Sequence, residues 1–396
     1  MKKQIAYFSI SVLIVFASCS EKKTEVMASE ENSIATVLPF VPLVLSDMSN
    51  FNDVASNWQI GGGVYADRSQ KHMLQIDEGS GVIVNIPSEG AKDNLYTNFE
   101  HGDIEMELDV MMPKGSNSGI YFQSRYEIQL FDSWGVKEPK YSDIGGVYER
   151  WDDTKEKSTE GYEGYAPKMN AAKAPGLWQH IKVIFHAPKF DDSGNKTTNA
   201  WFEEVWLNGV LVQENVQVTG PTRGGLEDEK PLAPLMIQGD HGPVALKNIR
   251  YKLYANNAVG FKNLQLKEYE NTNKLFPNVD NLELISETSV EAIDLNTMAN
   301  NNSQKIFKYS GIMVIPESGD YLFDVKVNGG AAMLINTDTI ISMNGDYNLD
   351  SLGLGKVVLT KGQVPFTLIY NKHTPWRRKF DISVEGPKMQ KYSLQK

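Results

Sequence analysis

The sequence predicts an all-β protein: an antiparallel jelly-roll sandwich over residues 43–270, followed by a second β-sandwich domain over 271–396. Three observations lead there. Apolar and polar residues alternate with period two in several separate runs, and long helical periodicity is absent. The composition of 32 Gly with 17 Tyr, 16 Phe and 7 Trp suits sheets joined by turns.

The chain opens with Lys2 and Lys3, an apolar run from Ile5 to Phe16, and small residues up to Cys19. This pattern predicts a secretory signal over 1–18, because the apolar run falls short of the ~20 residues that span a bilayer. Cys19 is the only cysteine, which excludes an intramolecular disulfide. Its position after Ala17 and Ser18 resembles the lipobox of bacterial lipoproteins. That resemblance implies acylation of Cys19 and a lipid-anchored place in the bacterial cell envelope, with membrane attachment through the lipid. Residues 19–42, charged and small at first, read as a flexible tether. A net charge of -11 without any basic cluster argues against nucleic acid as a partner.

Strand signals follow "FVPLVLSDMSNF". In "DIEMELDV", Ile104, Met106, Leu108 and Val110 share one face and Glu105, Glu107 and Asp109 the other, as in a strand with one buried side. Three carboxylates in a row invite a catalytic reading, but a solvated convex face accounts for them. "WFEEVWLNGVLVQENV" sets Asn208-Gly209 between apolar runs, the sequence of a tight hairpin turn. "PLMIQGDHGPVALKNIRYKLY" supplies two more strands around a Gly-Pro break. The run from 133 to 178 fits neither period and reads as a long loop, a feature often tied to function. It carries Trp134, Tyr141, Tyr148, Trp151, Tyr162, Tyr165 and Trp178, rings suited either to stack on sugars or to pack on the loop's own scaffold.

"GIYFQSRYEIQLFDS", residues 119–133, alternates most clearly. Ile120, Phe122, Tyr126, Ile128 and Leu130 form an apolar set, whereas Tyr121, Gln123, Arg125, Glu127 and Gln129 form a polar row. Within it, Glu127, Gln129 and Asp132 give the spacing E-x-Q-x-x-D. Glycoside hydrolases of the laminarinase type, also jelly rolls, carry E-x-D-x-x-E on a strand, with the outer acids about 5 Å apart as nucleophile and general acid. Gln in the middle and the shorter Asp at the end depart from that pattern.

The order of "GSNSGIYFQSRYEIQLFDSWG", "GVYERW", "NAAKAPGLWQHIKVIFHAPKFDDSGN", "VWLNGVLVQENVQVTGPT" and "PLMIQGDHGPVALKNIRYKL" resembles the 3-keto-disaccharide hydrolase family over residues 43–256. The resemblance implies a concanavalin-like jelly roll that cleaves glycosides already oxidised to a ketone at ring carbon 3. Such a ketone acidifies the hydrogen on carbon 2, so the chemistry needs one positioned base and a positive group for the enolate oxygen, not two opposed carboxylates. It implies Glu127 as base, His241 of "GDHG" as a second titrating group, and Asp132 to orient it. A lone histidine after a strand is otherwise an ordinary surface or capping residue. Arg125 and Gln129 are expected on the sugar oxygens, with Asn117, Ser118, Gln238 and Asp240 at the rim and Tyr148, Arg150 and Trp134 entering from the loop. If a divalent cation supplies the charge, Glu127, Asp132, Asp240 and His241 are the residues to hold it; there is no HExxH or CxxC. "DDSGN" at 191–195 reads as a hairpin turn, since a calcium loop's closing Glu is missing.

From about 275 the strand pattern restarts. "YSGIMVIPESGDYLFDVKVNGGAAMLINTDTII" and the segments after it resemble the protective-antigen type of β-sandwich module, which implies a glycan or protein partner. Asn328-Gly329-Gly330 stands where such modules carry paired aspartates, which makes docking as natural a role as sugar binding. Two other readings of the first domain remain open at this point: a conventional hydrolase using Glu127 and Asp132, and a non-catalytic glycan-binding surface lipoprotein.

Overall fold

Period-two alternation resolves into two facing sheets and a separate third one. The computed structural model describes residues 37–255, 257–294, 304–372 and 380–395. The expected signal, the lipidation at Cys19 and the tether as far as residue 36 lie outside the described residues.

Eleven longer strands build the first domain: β1 (Trp58–Tyr65), β2 (Gln75–Asn85), β3 (Leu95–His101), β4 (Asp103–Met111), β5 (Asn117–Phe122), β6 (Tyr126–Phe131), β7 (Gln179–His186), β8 (Ala200–Leu207), β9 (Val210–Val218), β10 (Ala233–Ile237) and β11 (Val244–Tyr254). The back sheet runs β9-β8-β7-β4-β11-β2-β1, and the front sheet runs from Phe51–Asn52 through β3, β10 and β5 to β6. All pairings in both are antiparallel. Val41–Pro42 pairs with Tyr251 and Arg250 of β11, so the fold begins inside the expected tether. The apolar Leu43 and Leu45 that follow are buried in the core and draw this end in.

The alternation in β4 holds. Ile104, Met106, Leu108 and Val110 are at most 1% exposed and pack against Ile120, Phe122, Tyr126, Ile128 and Leu130 of the front sheet. Each such side chain contributes about 1.5–3 kcal/mol on burial. The opposite carboxylates pair across the convex face: Glu105 with Lys182 at 2.8 Å, Asp109 with His180 at 2.9 Å, and Glu107 with Arg250. The Asn208-Gly209 turn joins β8 to β9 with φ of 53° and 82°, the left-handed pair that a tight hairpin of this hand requires. Asp191 likewise closes its own turn, accepting from the amides of Ser193 and Asn195.

One structural event redirects the polar row. Residues 119–133 form a hairpin, not one strand: the chain reverses at Gln123-Ser124-Arg125, with φ of 51° and 56° at the first two. Tyr121 pairs with Glu127 and Gly119 with Gln129, so Tyr121, Glu127 and Gln129 still share a face. The long loop then lies along the free edge of β6. Gln129 N–H donates to Gly146 O, Gly145 N–H to Gln129 O, and Tyr148 N–H to Glu127 O, at 2.9–3.1 Å. This cover explains why Glu127 and Gln129 are only 2% and 3% exposed.

The expected boundary after residue 270 is displaced. Gly260–Glu270 (β12) pairs with β13 (Leu284–Val290) and β14 (Lys305–Ile315), not with the jelly roll. The remaining strands are β15 (Gly319–Ile335), β16 (Asp338–Leu359), β17 (Gly362–Lys372), β18 (Phe380–Gly386) and β19 (Met389–Ser393). Their order is β13-β12-β14-β17-β15-β18-β19, with β16 also on β15. At Asn328-Gly329-Gly330 the long β15 changes neighbour, from β18 to β17, and its register on β16 shifts. The sheet encloses its own core of Phe307, Tyr321, Phe323, Val325, Met333 and Phe366 among others. Lys252 of the jelly roll pairs with Glu385 at 2.8 Å where the two domains meet.

Candidate active site

A pocket of about 290 Å³ opens on the face of the β5–β6 hairpin that carries Tyr121, Glu127 and Gln129. This is near the lower end of the usual ligand-pocket range, ~300–1,000 Å³. Asn117 at the start of β5 completes the strand contribution. Gln238, Asp240 and His241 enter from the turn after β10, Tyr148 from the long loop, and Arg223 and Gly224 from the turn after β9. The turn after β10 is set by Gln238 N–H donating to Gly119 O at 2.9 Å and by Ser118 Oγ–H donating to Gln238 O at 2.9 Å.

Glu127 is the floor. Burial pushes its carboxyl up to about 8, with the Tyr121 hydroxyl opposing that shift and the Asp240 carboxylate adding to it. The Tyr121 hydroxyl lies within hydrogen-bonding reach of Glu127 and donates to Arg223 O at 3.1 Å. Three amide oxygens facing this region, Asn117 Oδ1, Gln129 Oε1 and Gln238 Oε1, are buried and lack a hydrogen-bond partner among the described residues. The Gln129 amide is oriented by Nε2–H donating to Ser142 O at 3.3 Å, which leaves its oxygen free to accept. The second carboxylate, Asp240, accepts from His241 Nδ1 at 2.7 Å, which fixes that nitrogen as the protonated one when the ring is neutral.

Seven of the expected residues therefore converge: Asn117, Glu127, Gln129, Tyr148, Gln238, Asp240 and His241. Five do not line the pocket. Arg125 sits in the hairpin turn, 1% exposed, and donates to Gln123 O and Asp228 O, because the reversal at 123–125 ends the strand alternation there. Asp132 lies past the end of β6, where Oδ2 accepts from Gly115 N–H at 2.9 Å, so it neither orients His241 nor stands opposite Glu127. Ser118 points to the other side of its strand and acts on the backbone of Gln238. Arg150 is engaged by Glu163 and Thr219 and lies over the Tyr162 ring. Trp134 is 58% exposed and stands outside the pocket lining.

Of the four residues expected to hold a divalent cation, Glu127, Asp240 and His241 line the pocket and Asp132 does not. Among the described residues no group of three His, Cys, Asp or Glu side chains is drawn together closely enough to hold an ion. Of the seven loop aromatics, only Tyr148 lines the pocket. The others mostly serve the scaffold: Trp151 lies under the Arg223 guanidinium at 3.8 Å, Trp178 under Lys247 at 4.1 Å, and Tyr141 meets Tyr148 edge-on. The sequence reading missed Arg223 and Gly224; "PTRGG" offers only a glycine-rich turn as a signal. Tyr121 stood in the polar row without a role. A larger open groove on the back sheet, about 500 Å³, has its carboxylate Asp109 already bonded to His180 and Asn248.

Residues 47–252, just over half of the chain, match the model of a family described as a 3-keto-alpha-glucoside-1,2-lyase-like domain. No curated protein matches. Among solved structures, a proposed glycosyl hydrolase from Parabacteroides distasonis is 19% identical, covering 57% of this chain and 95% of its own, with a TM-score of 0.36. A second from the same organism is 18% identical over 55% of this chain and 100% of its own, TM-score 0.35. A beta-glucosidase from Kluyveromyces marxianus in complex with glucose is 23% identical, over 31% of this chain and 16% of its own, TM-score 0.25. These structural likenesses are too distant to bear on activity.

Proposed function

The chain belongs to the 3-keto-alpha-glucoside-1,2-lyase-like family, a family of enzymes acting on glycosides, and on that premise we propose that it cleaves glycosides bearing a ketone at ring carbon 3. The observation that carries this reading is one buried carboxyl of raised basicity, Glu127, in a pocket with three buried amide oxygens that lack a hydrogen-bond donor among the described residues. A carboxylate whose basicity lies near the working pH is suited to take a carbon-bound proton.

Glu127 takes the proton from carbon 2, and the C–H electron pair forms a carbon 2–carbon 3 double bond as the ketone oxygen becomes an enolate. The enolate then re-forms the ketone, a carbon 1–carbon 2 double bond appears, and the bond from carbon 1 to the aglycone oxygen breaks. His241 in its imidazolium form, its Nδ1–H held by Asp240, gives its Nε2 proton to that departing oxygen. Water adds across the new double bond, hydroxyl at carbon 1 and hydrogen at carbon 2, for net hydrolysis. Asn117, Gln129 and Gln238 hold the sugar's oxygens.

A retaining hydrolase that pairs Glu127 with Asp132 needs the two carboxyls about 5 Å apart, and Asp132 is outside the pocket, while the pocket's other carboxylate, Asp240, is bonded to His241. A purely binding surface gives no reason to bury an acid at a stability cost, a feature characteristic of functional sites. The test offers a nitrophenyl glucoside and its 3-keto counterpart. Cleavage of the oxidised compound alone, abolished in Glu127→Gln and strongly reduced in His241→Ala, supports the proposal; cleavage of the plain glucoside defeats it. Attachment to the envelope through acylated Cys19 belongs to the same proposal and is checked by release of Cys19→Ser from membranes.

A further inference from the structure

Enolate formation calls for a positive group beside the ketone oxygen, and the residues first expected to supply it are elsewhere. The Arg125 guanidinium is buried in the hairpin turn, and no metal set is assembled among the described residues. Arg223 lines the Glu127 pocket, and among the described residues no carboxylate forms an ion pair with it. Its guanidinium rests on the Trp151 ring at 3.8 Å and lies within hydrogen-bonding reach of the Tyr148 hydroxyl, itself a pocket group.

The backbone around Arg223 is fixed from both sides. Its N–H donates to Glu149 O at 2.8 Å, and its carbonyl accepts from Tyr121 O–H at 3.1 Å. Gly224 follows with φ of 84°, where a Cβ would meet the Tyr121 hydroxyl at 3.1 Å. Thus the residue that reaches toward Glu127 from the neighbouring strand, Tyr121, also anchors the turn that presents the cation. A guanidinium seated over an indole is held by the ring's face and still has N–H groups to offer to a ligand.

We propose that Arg223 is a catalytic residue that binds the carbon 3 oxygen, first as ketone and then as enolate, opposite the base Glu127. This rests on the function proposed above. As the proton leaves carbon 2 for Glu127, the electron pair moves through the new carbon–carbon double bond onto oxygen 3, and the negative charge develops against the Arg223 N–H groups. Donors aimed at a developing oxyanion act on the transition state more than on the ground state, so the effect falls on kcat.

The experiment uses the full chain with a 3-keto nitrophenyl glucoside, and follows both nitrophenol release and carbon 2 deuterium exchange in heavy water. Arg223→Met is expected to lower kcat by about 100- to 1,000-fold and to slow exchange in parallel, at little change in KM. Arg223→Lys should retain part of the rate. Added guanidinium ion should restore part of the rate to Arg223→Ala, which a merely structural role for the side chain would not allow. Arg223→Met within threefold of wild type on both readouts overturns the assignment, as does Arg223→Ala that is slow, folded and insensitive to guanidinium. A wild-type protein inert toward the 3-keto compound instead removes the underlying substrate reading and this assignment with it.

Discussion

Gly119 and Glu127 occupy facing strands of one hairpin, and the Cβ that Gly119 lacks would stand 2.1 Å from Glu127 Oε1. The carboxyl therefore fills the space of an absent side chain, folded down onto its own hairpin. That placement lets a full-length Glu lie at the bottom of the pocket.

Gly119→Ala should accordingly displace the carboxyl and lower kcat by at least about 100-fold, since a misplacement near 1 Å is enough for such a loss. Kinetics on protein shown to be folded by circular dichroism check this. An alanine variant with wild-type turnover would mean that the carboxyl's position is not critical.

With Glu127 as base and its carboxyl pushed up to about 8, only the ionised fraction works. kcat/KM toward a 3-keto-glycoside is expected to be bell-shaped. It falls about tenfold per pH unit on the acid side as Glu127 takes up its proton, and falls again on the alkaline side as His241 loses the proton it gives the departing oxygen. A profile already flat from pH 5 upward would exclude Glu127 from this role.

The same shift affects stability. The folded Glu127 keeps its proton up to about pH 8, whereas its ordinary value is 4.5. Its contribution is thus fully present below 4.5, declines between 4.5 and 8, and is lost above 8, by roughly 3–5 kcal/mol in all. Glu127→Gln lacks that decline, so its melting temperature should exceed that of wild type by several degrees at pH 9 and by little at pH 4.5. Thermal scans at the two pH values decide it.

Asp132→Asn should leave turnover within about threefold of wild type, because Asp132 serves the Gly115 turn and not the pocket. A retaining mechanism that used Asp132 would instead lose several orders of magnitude. Steady-state kinetics with both sugar forms separate the two.

Arg125→Met is expected to lower stability by about 2–4 kcal/mol while the folded fraction keeps its kcat. Arg125 donates to Gln123 O and Asp228 O from a site 1% exposed, and its loss leaves those carbonyls without their donor. Denaturant titration with parallel kinetics measures both quantities.

Period-two alternation was sufficient to place Ile104, Met106, Leu108 and Val110 inside and the intervening carboxylates outside, since in an extended strand that property is local. The same logic put Glu127 and Gln129 on one face, and "QGDHG" marked Gln238, Asp240 and His241. It failed where the chain turns. Alternation says nothing about a reversal at Gln123-Ser124-Arg125, so Arg125 was carried along a face that its backbone does not continue. Arg223 has no periodic signature at all; its place depends on the hydrogen bonds of its turn to Tyr121 and Glu149. By itself, then, the sequence determined the fold class, the apolar faces and most of the polar cluster, because side-chain direction along a strand follows from neighbours one and two positions away. Only the tertiary structure decided which polar groups share one cavity, that Asp132 and Arg125 are outside it, and that β12 belongs to the second sheet. Those facts depend on strand pairing and loop paths between residues far apart in the chain.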